Sequence, residues 1–513
     1  MPVFTFTLKP IIFRILQIVK KHTNLIANTL LFCFFFPFTG HTQLPAAADS
    51  DGTRFFMETA SPRPLTDTLP MMEMSTNTHA NKFGMRVTQQ TTKKETAQNL
   101  EKEFRAVWIS TVQRVDFPAQ LTTKPELLKK EWLQLLQFYK SLNINAVIVQ
   151  VRPCADAIYP SKLVPFSKFI TGKSGKGLDN NFDLLQFMVE TSHAAKMEFH
   201  AWINPFRALV DNDTLNLAPN HVFKAHRDWV YKYGKEYQLN PGIPEVRQHF
   251  LEVIGELAAN YDIDAVHFDD YYYPYKIQNE EIDDSLTYVK YGKNFKNIKD
   301  WRRNNINLVI ESVYKKVKSI DSTMQVGVSP FAVWRNKETD KTGSDTKGGQ
   351  QCYDDLYADV LKWLKNDWVD YIAPEVYFHI GHPQVDFKKA VNWWLKNRYG
   401  KKMYIGLALY KINNTKYPEW AEPDQIPNQI EFLRQFPDIK GYMLFSSKQL
   451  IENRLGVTDI LKYQYFNDSR IASKAVGAPS IHAMPKKKSL PASAPSKTLP
   501  LETLGASKKK PRS

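Results

Sequence analysis

Between residues 103 and 465 two rhythms of apolar and polar positions take turns along the chain. In short segments they exchange with a period of two, the mark of a strand with unlike faces. In longer segments apolar residues return every three or four positions, the mark of a helix with one apolar stripe. The strand-like segments are 104–111, 146–152, 198–204, 264–269, 324–329, 371–377, 403–410 and 441–446. Helical spacing runs through 126–142, 182–196, 244–260, 301–320, 356–364, 387–397 and 425–436. Pro244 followed by Glu245 suits a helix start, where no N–H partner is lost and a negative charge faces the amino end of the dipole. Strands each followed by a helix predict an α/β fold, a (β/α)8 TIM-type barrel over residues 103–465 with long βα loops. An open doubly wound sheet is the alternative, but no Gly-rich phosphate loop follows the first strand.

In such a barrel one face of each strand meets the helices and the other lines the interior, and active sites sit at the C-terminal strand ends. On the fourth strand the alternation sends Val266 and Phe268 outward, and His267 and Asp269 inward, with Asp270 pointing to the other side. Tyr271, Tyr272 and Tyr273 follow, flat surfaces that suit a sugar ring. On the second strand Val147, Val149 and Val151 face out, leaving Gln150 and Arg152 inside. On the third, Phe199, Ala201 and Ile203 face out and His200, Trp202 and Asn204 face in. On the sixth, Ile372, Pro374 and Val376 face out and Glu375 and Tyr377 face in. The fifth offers Ser329, then Trp334 and Arg335 in its loop. A purely structural barrel would fill these layers with Val, Ile and Leu. The repetition of polar and aromatic residues over several strands is the signal.

Cleavage of a glycosidic bond needs one carboxylic acid to protonate the leaving oxygen, and a second carboxylate to attack the anomeric carbon or activate water. Asp269 and Glu375 face each other across the mouth in one pairing. Asp270 either joins them or holds a loop or tyrosine. Asp156, just past the second strand, is a further candidate acid. Trp108, Trp202, Trp334, Tyr271 and Tyr273 supply stacking faces; Gln150, Arg152, Asp156, His200, Asn204, His267, Arg335 and Tyr377 complete the expected substrate-binding set. A non-catalytic glycan-binding barrel is the alternative from another class, since it would keep the aromatics without needing the acids. No metal site is expected: His200 has no second histidine near it on its strand, and His379 and His382 lie in a loop without matching ligand spacing. No cofactor is expected either, because neither a Gly-x-Ser-x-Gly elbow nor a phosphate loop is present.

Composition changes the picture at the two ends. The chain has 513 residues, 43 % of them hydrophobic, enough for a large core, and a net charge of +15. Residues 1–44 carry +4 and residues 470–513 carry +9, leaving +2 between them. The barrel is therefore nearly neutral, and no nucleic-acid partner is expected. Lys20 and Lys21 precede the apolar run 25–36, which reads as a signal peptide over residues 1–43, with an uncleaved anchor as the alternative. Export to the periplasm or cell envelope follows as an expectation. Residues 44–102 read as a flexible linker and 470–513 as a disordered tail rich in Lys, Pro and Ser, with weak attraction to an acidic envelope polymer. Only Cys154 and Cys352 would remain after cleavage, too few for a disulfide framework.

The ordered motifs resemble those of the glycosyl hydrolase-like 10 family of exported bacterial proteins. They are Phe104-Arg-Ala-Val-Trp108, Gln150-Val-Arg-Pro153 with Asp156, His200-Ala-Trp-Ile-Asn-Pro205, and Leu239-Asn-Pro-Gly242 with Pro244-Glu-Val-Arg247. Further along come His267-Phe-Asp-Asp-Tyr271 with Tyr273-Pro274, Trp301-Arg-Arg303, Gly327-Val-Ser-Pro330 with Trp334-Arg-Asn336, and Tyr371-Ile-Ala-Pro374. The resemblance implies a barrel acting on glycans, in some members peptidoglycan strands stripped of stem peptides during cell division. It also implies that many members carry Gln at the position of Glu375, which would pair Asp269 with Asp270 or Asp156 instead.

Overall fold

The computed structural model describes residues 103–414 and 417–467; the expected signal, linker and basic tail lie outside the described residues. Eight parallel strands close a barrel: β1 Phe104–Ile109, β2 Ala146–Arg152, β3 Glu198–Ile203, β7 Ala265–Phe268, β8 Gln325–Val328, β9 Tyr371–Ile372, β10 Lys402–Ala408 and β11 Ile439–Phe445. The ring runs β1-β11-β10-β9-β8-β7-β3-β2, each strand beside its sequence neighbour in the barrel. The expected α/β barrel is the observed fold.

The strands between β3 and β7 were not anticipated. In that loop β4 Arg207–Leu209, β5 Val230–Tyr233 and β6 Glu236–Leu239 form a small antiparallel sheet of order β4-β6-β5. Its segments are too short for a period-two signal to stand out. The expected 371–377 strand is regular only at Tyr371 and Ile372. Beyond them it touches its neighbours through isolated bridges of Glu375 to Phe331 and Gly406.

The period-two reading predicts the two apolar layers. Val147, Val149, Phe199, Ala201, Val266 and Phe268 all belong to the large core between strands and helices. A separate cluster fills the barrel itself, made of Phe104, Ala106, Trp108, Ala146, Ile148, Trp202, Ala265, Tyr371, Ala373, Tyr404 and Met443. Large rings alternate there with alanines because the interior of an eight-stranded barrel is only wide enough for side chains to fill it. Gly327 belongs to the same logic: a Cβ on it would lie 1.9 Å from the ring of Tyr371, which occupies that space.

The helices follow from one apolar stripe each. In Pro244–Asn260 the buried residues Val246, Phe250, Val253, Ile254, Leu257 and Ala258 recur at helical spacing, and this stripe lies in the outer core. Fully burying a side chain such as Phe250 stabilises the fold by about 1.5–3 kcal/mol. Asp183, Asp359 and Asp386 cap later helices by accepting a backbone N–H three residues on. Among the described residues no helix is long and apolar enough to cross a membrane. Cys154 and Cys352 are both buried and free.

Candidate active site

Asp269 follows β7 directly, so the alternation that buries Val266 and Phe268 outside carries its carboxylate into the barrel mouth. It accepts from Trp202 Nε1 at 3.0 Å, Asn204 Nδ2 at 3.1 Å and the Tyr271 backbone N–H at 3.3 Å. Burial raises its pKa, against the charge of Arg207 and these three donors, which favour the ionised form. Trp202 and Asn204 lie two apart on one face of β3 and its end, so a single strand delivers both. Asn204 also accepts from Arg207 N at 2.9 Å, holding the turn that brings Arg207 near Asp269.

Asp270 turns the other way along the chain yet remains in the same charged group. It accepts from the Tyr275 hydroxyl, while its other oxygen is buried without a partner. Burial, and then the charge of Asp269, push its pKa up to about 8. Glu375 Oε1 lies 2.9 Å from Ser329 Oγ, just past the end of β8. Burial, then Asp270, then Asp269 raise it well above the ordinary carboxylate range. Three carboxyls from two barrel elements therefore share one field in which they cannot all ionise. Asp269, with the most donors, best keeps the charge.

Aromatic rings close around this group. Phe445, at the end of β11, lies 5.9 Å from Trp108, 6.3 Å from Trp202, 5.9 Å from Tyr377 and 6.0 Å from Tyr410, ring centre to ring centre. Tyr271 is tilted against Tyr275, 5.0 Å between ring centres, and lies under the guanidinium of Arg207. Ser329 was offered by the fifth strand; Arg207, Tyr275, Tyr410 and Phe445 are the members that sequence reasoning missed. Phe445 and Tyr410 lie within the predicted 441–446 and 403–410 strands, while Arg207 and Tyr275 follow β3 and β7 in connections without a period.

Several expected residues are placed elsewhere. A register shift after Gln150 sets Arg152 opposite Ile203, an outward residue, so Arg152 faces Phe250 and donates to the carbonyls of Asn204 and Pro205. The bulge flips the side predicted by alternation. Gln150 stays inside, but its carbonyl oxygen is taken by Ser110 Oγ and the N–H groups of Thr111 and Val112. Asp156 accepts from the Cys154 N–H and shapes its own loop. Trp334 stacks on Trp393 at 5.5 Å, and Arg335 is paired with Asp340 and Asp354. Tyr273 packs edge-on to Tyr357 beside Arg302. His200 and His267 do face inward, but both lie fully buried in the barrel, bonded to Tyr371. His200 lies one layer below the mouth, while His267 is level with Trp202 and is taken up by Ser329.

The glycosyl hydrolase-like 10 family matches residues 103–422. The glycosyl hydrolase YngK of Bacillus subtilis (strain 168) is 43 % identical over 372 residues, 72 % of this chain and 72 % of that protein. The glycosyl hydrolase DigH of Escherichia coli (strain K12) is 34 % identical over 378 residues, 69 % of this chain and 85 % of that protein. Among solved structures, the glycoside hydrolase domain of PgaB (BpsB) from Bordetella bronchiseptica aligns with a TM-score of 0.45 and 14 % identity, over 70 % of this chain and 98 % of that one. With a barrel of the expected kind and a family match across most of it, this chain belongs to the glycosyl hydrolase-like 10 family.

Proposed function

We propose that this chain is an exported glycoside hydrolase that cuts peptidoglycan glycan strands stripped of their stem peptides. The observation that carries the reading is the trio Asp269, Asp270 and Glu375, buried together among aromatic rings at the C-terminal end of the barrel strands. Its field splits the roles. Glu375, the partly exposed member, holds a proton and gives it to the leaving glycosidic oxygen. Asp269 stays ionised and meets the positive charge that develops at the anomeric carbon. The charge of Asp269, joined by that of Asp270 once it ionises, keeps Glu375 protonated. Trp202 and Asn204 orient Asp269, while Phe445, Trp108 and Tyr377 offer apolar faces to sugar rings.

The names of the bacterial relatives support the reaction class, and the family's reach to polysaccharides supports the substrate class. Stripped peptidoglycan is the finer step, taken from the family resemblance. The test incubates the full chain with glycan strands bearing or lacking stem peptides and reads products by mass. Cleavage of the stripped strands, reduced at least about 100-fold by Asp269→Asn, is the expected result for loss of a reacting carboxylate. Retained binding without products from either strand would instead make this a glycan-binding barrel.

A further inference from the structure

A file of buried hydrogen bonds runs along the barrel interior from Glu375 to the opposite end. Ser329 Oγ lies 2.9 Å from Glu375 and 3.2 Å from His267 Nε2. His267 Nδ1 lies 2.9 Å from the Tyr371 hydroxyl, and the same hydroxyl lies 2.9 Å from His200 Nδ1. His200 Nε2 lies 3.0 Å from the carboxylate of Glu198, the first residue of β3, whose side chain is 45 % exposed at the N-terminal end of the strands. Ser329, His267, Tyr371 and His200 are all buried. Ala265 and Gly327 leave the room in which the Tyr371 ring spans the two histidines.

Counting protons gives this file a direction. One hydroxyl cannot donate to two imidazoles, so one histidine shows Tyr371 an N–H and the other a bare nitrogen. Five links join six groups, while neutral His200, Tyr371, His267 and Ser329 bring four protons. The fifth must come from one of the end carboxyls, or two acceptors face each other in a buried link, at the cost of an unsatisfied group. We infer that Glu198, His200, Tyr371, His267 and Ser329 form a proton relay that obliges Glu375 to hold its acid proton while Glu198 is ionised. The inference rests on the reading of Glu375 as the acid.

In that state Glu375 donates to Ser329, Ser329 to His267 Nε2, His267 Nδ1–H to Tyr371, Tyr371 to His200 Nδ1, and His200 Nε2–H to Glu198. A concerted shift of one proton in every link, toward Glu198, connects this state with its mirror. In the mirror Glu198 is protonated, Glu375 is ionised and both histidines have switched tautomer. One net proton moves and no charge is left inside. The surrounding charges favour the first state. Burial raises Glu198, but the hydrogen bond it accepts from His200 and the charge of Lys402 act the other way, and Glu198 is held low. At the other end Asp270 and Asp269 face Glu375 with like charge, beside Tyr377. Tyr404 and Asp370 are the remaining titratable groups near Tyr371.

The test has two readouts on the full chain. Nitrogen-15 NMR at neutral pH is expected to show His200 protonated at Nε2 and His267 at Nδ1, both neutral. His267 protonated at Nε2, or His200 as an imidazolium, would supply the fifth proton differently and overturn the relay. The Phe268 carbonyl, 3.3 Å from Ser329 Oγ, is a competing acceptor that would uncouple Glu375 from His267. The second readout is the pH profile of polysaccharide cleavage. Tyr371→Phe keeps the ring and removes two links, and Glu198→Gln removes the charge at the distant end. Each is expected to move the alkaline limb to lower pH by about one unit, a tenfold change in the acid's proton affinity. An unmoved limb in both variants, with only the height of the profile changed, would overturn the coupling. If no polysaccharide is cleaved at all, the tautomers still decide the relay, and only the hydrolase reading falls.

Discussion

The ends of β2 and β7 read alike in the sequence and differ in the structure. Both strands alternate apolar outward residues with polar inward ones, and both run into a loop that carries an aspartate. At β7 the rhythm continues, and Asp269 arrives in the mouth among Trp202, Asn204 and Arg207. At β2 a bulge breaks the register, Arg152 turns onto Phe250, and Asp156 folds back on the Cys154 N–H. Alternation predicts the side a residue faces only while the hydrogen-bond ladder stays in step. A single shift of register makes the next prediction wrong by half a turn.

The comparison breaks most clearly on the two aspartates. Asp269→Asn is expected to lower cleavage at least about 100-fold, while circular dichroism shows a folded protein. Asp156→Ala is expected to leave cleavage standing and to show itself in thermal melts. Next in size is the platform under Arg152: Phe250→Ala empties a fully buried site, with an expected loss of about 3–5 kcal/mol in denaturant unfolding. If the loss is small, Arg152 does not depend on that packing.

A pH comparison sharpens the contrast between a shared field and a lone carboxylate. Asp270 is raised to about 8 in the folded chain, so the folded state binds more protons than the unfolded one between the ordinary carboxylate range and that value. Its contribution to stability is present at low pH and is lost as the pH rises through about 8. Asp270→Asn is therefore expected to raise the melting temperature at pH 8 more than at pH 5. The same change removes a like charge beside Glu375, so the alkaline limb of activity moves to lower pH. Equal melting shifts at both pH values would detach Asp270 from the field. The smallest effect is expected from Asp156→Ala, about 1–3 kcal/mol for a buried N–H left without its acceptor.

Much of the site was legible because Asp269, Trp202 and Asn204 sit on regular strand positions or directly after them, and Glu375 follows from the same count on β9. Arg207 and Tyr275 were not legible, because each reaches the carboxylates from a loop whose path is set by its own hydrogen bonds. His200 was assigned the right side of the sheet and the wrong depth. A period of two tells inside from outside; it carries no measure of how far along the barrel axis a residue lies.

The chain by itself determined the eight-stranded α/β barrel and the inward side of His200, Trp202, His267 and Asp269, because hydrophobic periodicity acts locally and survives in the sequence. Depth, register and pairing were decided only in three dimensions. The bulge in β2, the nearness of Asp270 to Glu375, and the file from Glu375 to Glu198 each join residues far apart in sequence. Their energies come from burial, shared charge and hydrogen-bond direction, and these exist only once the barrel has closed.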